Sequence, residues 1–104
     1  MFMLNVINEI QATYGWEGFR FANAMRDEIQ FYEKRNWEWD MKIIRNDKYT
    51  LIVALICKDG TTFYTFSKFH GVYTGSFSLS AFAMEELTKK SEDMWERELE
   101  CLGV

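Results

Sequence analysis

Proline is absent from the 104 residues, histidine occurs once, cysteine twice and glycine six times. Without proline, no position forces a helix or strand to break, so elements end where hydrophobic periodicity and small polar residues end them. Two cysteines, Cys57 and Cys101, do not make a disulfide framework, and the expectation is two free thiols in a reducing cytoplasm. The longest apolar run, Leu51 to Cys57, falls far short of the ~20 residues that span a bilayer. Met1 to Ile10 is apolar but has neither the basic flank nor the small-residue cleavage site of a signal peptide. No membrane association is expected.

Catalytic signatures are equally scarce. His70 has no Cys or His at metal-ligand spacing and reads as a polar loop residue. Ser76, Ser78 and Ser80 lie outside any Gly-x-Ser-x-Gly context and read as turn and cap residues. There is no Walker or dinucleotide loop. Glu85 and Glu86 stand side by side on a wet helix face, where tuning a carboxyl for acid–base work is hard. The expectation is a non-enzymatic chain with no cofactor and no metal.

What the chain has is aromatic rings and a lopsided charge. Nine Phe, five Tyr and four Trp make 17% of the sequence, enough to fold one small domain spanning residues 1–104 and to leave rings for a partner. Residues 1–36 carry a net −1, residues 37–70 a net +1 and residues 71–104 a net −4, so the excess negative charge sits in the last third.

Periodicity orders the elements. Met3, Val6, Ile7, Ile10 and Tyr14 predict a helix over 5–14, with Asn5 as N-cap and Gly15 as the stop. Phe21, Ala22, Met25, Ile29 and Tyr32 predict a second helix over 18–35, with Phe19 and Phe31 off its stripe. A strand over 18–22, with the helix starting after Asn23, is the rival for its first turns. From Trp37 the period drops to 2, and Trp37, Trp39, Met41 and Ile43 alternate with Glu38, Asp40 and Lys42. After a turn at Asn46–Lys48, residues 49–57 read as a central strand apolar on both faces. Asp59-Gly60 reads as the hairpin turn into a third strand over 62–69, placing Ile56 opposite Phe63, Leu55 opposite Tyr64 and Val53 opposite Phe66. Loop length leaves open which sheet face carries the tryptophans. Residues 71–78 read as a loop or a short fourth strand over 72–74. Ser80 caps a last helix with the stripe Met84, Leu87, Ser91, Met94, Trp95, Leu99 and Leu102, ended by Gly103. The fold expected is α+β, α-α-β-β-β-α, with a three- to four-stranded antiparallel sheet covered on one face by two N-terminal helices and one C-terminal helix.

Two features are candidate partner-binding surfaces. On the last helix Glu85, Glu86, Lys89, Glu92, Asp93, Glu96 and Glu100 share the side opposite the apolar stripe. Like charges four residues apart repel by roughly 0.2–0.5 kcal/mol per pair, so folding alone does not ask for them. Such a row is ordinarily a solvated face; its sharper reading is a strip that meets a basic patch on a protein. The second feature is Trp37-Glu38-Trp39-Asp40: buried, its tryptophans anchor the core, and exposed, they are interface hot spots. Base stacking needs a basic groove, and the neighbours here are acidic, so direct nucleic-acid binding is not expected. Phe63, Tyr64, Phe66, Phe69 and Tyr73 form a further cluster, mostly core, with rings free for a partner if strand three is an edge.

Gly15-Trp16-Glu17-Gly18 is similar to the GXXG loop of KH domains, which clamps nucleic-acid backbone, but a glutamate inside it repels phosphate, and the segment reads as a turn. The α-β-β-β-α order resembles the double-stranded-RNA-binding domain. That fold works through a basic start to its last helix, where this chain has Glu85 and Glu86. In size, charge and composition the chain is similar to small acidic phage inhibitors such as anti-CRISPR proteins and to immunity proteins that neutralise toxic nucleases. That resemblance implies an inhibitor occluding a basic, nucleic-acid-binding site on a larger protein. A small-ligand or regulatory domain and a homodimeric structural subunit are the alternatives. Purified protein is expected to hold no stoichiometric metal; elemental analysis finding one zinc per chain overturns this.

Overall fold

A computed structural model describes residues 2–89, with side chains over 5–86. Helices α1 (Phe2–Tyr14) and α2 (Trp16–Lys34) precede strands β1 (Trp39–Asn46), β2 (Thr50–Cys57), β3 (Gly60–Ser67) and β4 (Val72–Ser80), and α3 is described over Ala81–Lys89. The strands form an antiparallel meander in the order β1-β2-β3-β4. The architecture is therefore the expected α+β order with four strands.

The expected helical stripes make the core. Val6, Ile7 and Ile10 of α1 and Phe21, Ala22, Met25 and Tyr32 of α2 are buried against Leu51, Val53 and Leu55 of β2 and Tyr64 and Phe66 of β3. Burying a large apolar side chain stabilises by roughly 1.5–3 kcal/mol. α1 starts earlier than expected, so Asn5 lies inside the helix and is not its cap. α2 is helical from Trp16, which removes the rival strand over 18–22 and makes Gly15–Gly18 a helix start, not a KH-like loop. Gly18 is buried at the crossing of α1 and α2, where an added Cβ would lie 2.3 Å from the Ile10 carbonyl oxygen. Glu17 serves the fold as well: one carboxylate oxygen accepts the Tyr73 backbone N–H at 3.2 Å, tying α2 to β4, while both oxygens accept from Arg20.

The β2–β3 hairpin differs from the expected register. Cys57 pairs with Gly60, so the turn residues are Lys58 and Asp59, and Ile56 faces Thr61, Leu55 faces Thr62, Ala54 faces Phe63, Val53 faces Tyr64 and Leu51 faces Phe66. The reason lies across the sheet. Gly60 sits at φ +149° within β3, and a Cβ there would come within 2.1 Å of the Leu79 carbonyl oxygen. Glycine is needed both for this backbone conformation at the end of the turn and for the approach of β4. In the β1–β2 hairpin the register shifts between Ile43 and Arg45, leaving Ile44 as an exposed bulge. Asp47 closes that loop by accepting the Tyr49 and Thr50 backbone N–H groups at 2.8 Å each. The Arg45 guanidinium and these two N–H groups hold its carboxyl down to about 2.

β4 runs well past Thr74, and its pairing makes β3 an interior strand, so the strand-three rings are not at an edge. The face away from α1 and α2 carries Ile52, Ile56, Phe63 and Phe77, with Phe63 and Phe77 stacked at 5.0 Å. Ser80 caps α3 as expected, its hydroxyl accepting the Ala83 N–H at 3.1 Å. α3 lies against β3 and β4. No helix among the described residues is long and apolar enough to cross a membrane.

Gly18→Ala is a clean test of the α1–α2 crossing. Helix propensity alone favours alanine by ~1 kcal/mol, whereas overpacking against backbone costs roughly 1–3 kcal/mol. Because Ile10 can yield only by moving α1, the variant is expected to be less stable in urea unfolding; an unchanged or raised midpoint refutes the close approach.

Candidate functional site

The sequence places Trp37 at the head of a strand, but the structure places it in a helix stop. At the end of α2 the Asn36 N–H donates to the Glu33 carbonyl at 3.1 Å and the Trp37 N–H donates to the Tyr32 carbonyl at 3.0 Å. Asn36 takes φ +54°, the left-handed conformation that this residue type tolerates. This is a Schellman motif, and its usual apolar contact is present: the Trp37 ring stacks on Tyr32 at 6.3 Å and meets Phe31 edge-on at 5.8 Å. Trp37 is half-buried as a result. Trp39 opens β1 opposite Cys57, on the same face as Met41 and Ile43, and at the sheet edge it stays 36% exposed. The two tryptophans therefore have different duties, one packing and one displayed.

Two adjoining concavities meet at Trp37 and Cys57. A cleft of about 360 Å³ opens between the end of α2 and the ends of β2–β4, with Phe31, Tyr32 and Trp37 on one side and Thr62 and Ser78 on the other; its charged lining residues are Glu28 and Asp59. A shallower groove of about 540 Å³ continues past Trp37 and Trp39, flanked by Glu38, Asp40 and Lys58. Among the described residues, four carboxylates and one ammonium thus line the pair. The rings here attract the chain's own cations: the Arg35 guanidinium sits 3.5 Å from the Phe31 ring centre and the Lys58 ammonium 4.6 Å from that of Trp37. Burial pushes the Tyr32 hydroxyl well above its usual range, and its hydrogen bond to the Glu28 carboxylate pushes it further, while Thr62 acts against both. Tyr32 is therefore a neutral hydroxyl, and it lines the cleft together with Glu28.

The expected acidic helix face is only partly described. Glu85 is exposed and Glu86 half-buried in the first turns of α3, while Glu92, Asp93, Glu96 and Glu100 lie outside the described residues. Among the described residues, neither the cleft nor the groove is lined by Glu85 or Glu86, and the cleft reaches α3 at its cap, Ser80. Of the buried stripe expected for this helix, Met84 is half-buried. Among the described residues no three His, Cys, Asp or Glu side chains converge as metal ligands. Cys57 is a free thiol.

Sequence reasoning missed Glu28, Phe31 and Asp59. Phe31 was identifiable by its place off the α2 stripe, and Asn36 after a lysine-arginine helix end was a readable stop signal. Nothing in the sequence joined Glu28 to Asp59. Other exposed rings lie elsewhere: Trp16 stacked on Phe19 at 5.6 Å, and Tyr49 beside Phe69. The chain matches no family model, no curated protein and no solved structure.

The two tryptophans separate in a stability measurement. Trp37→Ala removes a stacked, half-buried ring and is expected to cost roughly 2–3 kcal/mol, below the 3–5 of a full core aromatic. Trp39→Ala is expected to cost less than ~1 kcal/mol. Equal losses in urea unfolding refute the division of roles.

Proposed function

We propose that the protein is a non-enzymatic binding protein that recognises a basic surface on a larger protein and, by occupying it, inhibits that protein, which suits a nucleic-acid-binding site. The observation that carries this reading is the acidic, aromatic end of the sheet. Trp39 stands exposed between Glu38 and Asp40, beside a cleft whose charged lining is Glu28 and Asp59. Exposed tryptophan supplies contact area at low entropic cost, and surrounding carboxylates select a cationic partner. The same carboxylates disfavour phosphate, so a protein suits the surface better than a nucleic acid does. The acidic row that the sequence spaces at Glu92, Glu96 and Glu100 adds negative field of the same sign.

A second reading has its own observation. The sheet face bearing Ile52, Ile56, Phe63 and Phe77 is apolar at its centre, with Asp40 and Lys42 along its β1 edge, and Phe77 is 56% exposed. Four strands about 4.8 Å apart and eight residues long present roughly 500 Å² per copy, close to the ~1,000 Å² total that a weak specific dimer needs. A homodimer through this face predicts micromolar self-association that Phe77→Glu abolishes, measured by analytical ultracentrifugation.

The main reading is tested on a partner captured with the full chain. Stopped-flow association is expected to slow as salt rises from 0.01 to 0.15 M, where the Debye length falls from ~30 to ~8 Å. Joint reversal of Glu92, Glu96 and Glu100 to lysine is expected to slow low-salt association by about tenfold or more, with stability changed by less than ~0.5 kcal/mol per site. Equal rates for both proteins across the salt series remove these three glutamates from the mechanism, and an unaffected rate in Trp39→Ala removes the tryptophan groove.

A further inference from the structure

We propose that the cleft beside Trp37 receives one arginine side chain of the partner, its stem against the rings and its guanidinium at Glu28 and Asp59. This rests on the binding reading above and names the group recognised. Three aromatic residues, Phe31, Tyr32 and Trp37, supply an apolar wall of the kind that covers the methylene stem of a long cationic side chain. Among the described residues, the only charged side chains lining the cleft are the two carboxylates, so an anion is repelled and a neutral group leaves both acids unmatched. The cleft, about 360 Å³, has room for a single long side chain. Tyr32 and Glu28 line the cleft together, and across it the Thr62 hydroxyl is paired with that of Ser78 at 2.9 Å.

The chain's own cations do not fill this need. Arg35 lies over Phe31, its guanidinium donating to the Phe31 carbonyl at 3.2 Å, and Lys58 lies over Trp37 on the side of the neighbouring groove; neither lines the cleft. Arginine is favoured over lysine because its planar fork can donate to two carboxylates at once, whereas an ammonium acts as a point charge.

The test is a nitrogen-15 NMR titration of the full chain with the blocked tripeptide acetyl-Gly-Arg-Gly-amide. Saturable shifts are expected at the Trp37 indole N–H and the Tyr32, Asp59 and Thr62 amides, with a dissociation constant on the order of millimolar, as befits one side chain. The neutral isostere, citrulline in place of arginine, is expected to bind about tenfold more weakly, as is arginine to the double variant Glu28→Gln/Asp59→Asn. A thermal melt of the variant shows whether it is folded. If it is not, Asp59→Asn alone serves, since asparagine suits the same turn position and leaves the Asp59 carbonyl bond to Ala81 in place. No saturable shift, equal binding of the citrulline peptide, or shifts confined to other surfaces overturn the inference. Free L-arginine binding more tightly than the tripeptide overturns the assignment to a partner side chain. Failure here with salt-dependent capture intact overturns the cleft alone, whereas a positive titration with salt-independent capture overturns the wider reading and leaves the cleft standing.

Discussion

Phe66 is the residue on which the helical layer is seated. It is fully buried at the centre of the sheet, with the Tyr14 ring at 4.9 Å and the Phe21 ring at 5.5 Å. One residue of β3 therefore receives the end of α1 and the start of α2 together. Each such ring pair contributes roughly 0.5–1.5 kcal/mol beyond its buried area. Phe21 extends the contact to Tyr73 of β4 at 5.7 Å, so a single aromatic layer links both helices to both later strands. That convergence needs α1 and α2 to cross closely, which is why position 18 carries no side chain. It also fixes the direction in which α2 leaves the centre of the sheet, and hence where its far end arrives.

The candidate site is a consequence of that direction. α2 ends over the turn between β2 and β3, and its stop must both terminate the helix and start an edge strand. The left-handed Asn36 does this in one residue and swings Trp37 back onto Tyr32. Because the stop consumes one tryptophan in packing, the next inward position, Trp39, falls at the unshielded edge of the sheet. Glu28 from α2 and Asp59 from the β2–β3 turn then face the same cleft. A packing requirement of the core thus delivers an aromatic wall and two carboxylates to one place.

The helical stripes and the order of elements were legible because they depend on local spacing alone. The hairpin register was misjudged by two residues for a physical reason. An Asp-Gly pair normally occupies the centre of the turn, but here Gly60 stands at its end and also admits the approach of β4, a contact that no local pattern records. A shift of two preserves which side of the strand each residue faces, so Leu51, Val53 and Leu55 still face the helices; a shift of one would have turned the core outward. β4 was underread because Gly75, Ser76 and Ser78 have poor strand propensity, and pairing with β3 imposes the strand on them. The part of the acidic face that is described, Glu85 and Glu86, stands apart from the tryptophan groove, so the two expected binding features do not merge within the described residues.

The site's charge was least legible because its acids come from distant places. Glu38 and Asp40 flank Trp39 in sequence, but Glu28 and Asp59 are separated by 31 positions and meet only through the fold. Their presence changes the weight of the exposed rings. Aromatic surface in a basic groove serves nucleic acid, because each base offers a ring and each phosphate a charge. The same rings among carboxylates offer stacking, worth roughly 1–3 kcal/mol per base, but no compensation for phosphate charge. A guanidinium reverses every sign in that balance: it is attracted by the ring faces and by the acids, and its stem covers apolar wall. On the proposed reading, electrostatics discriminates between classes of partner, while the aromatic layer beneath sets only where that discrimination takes place.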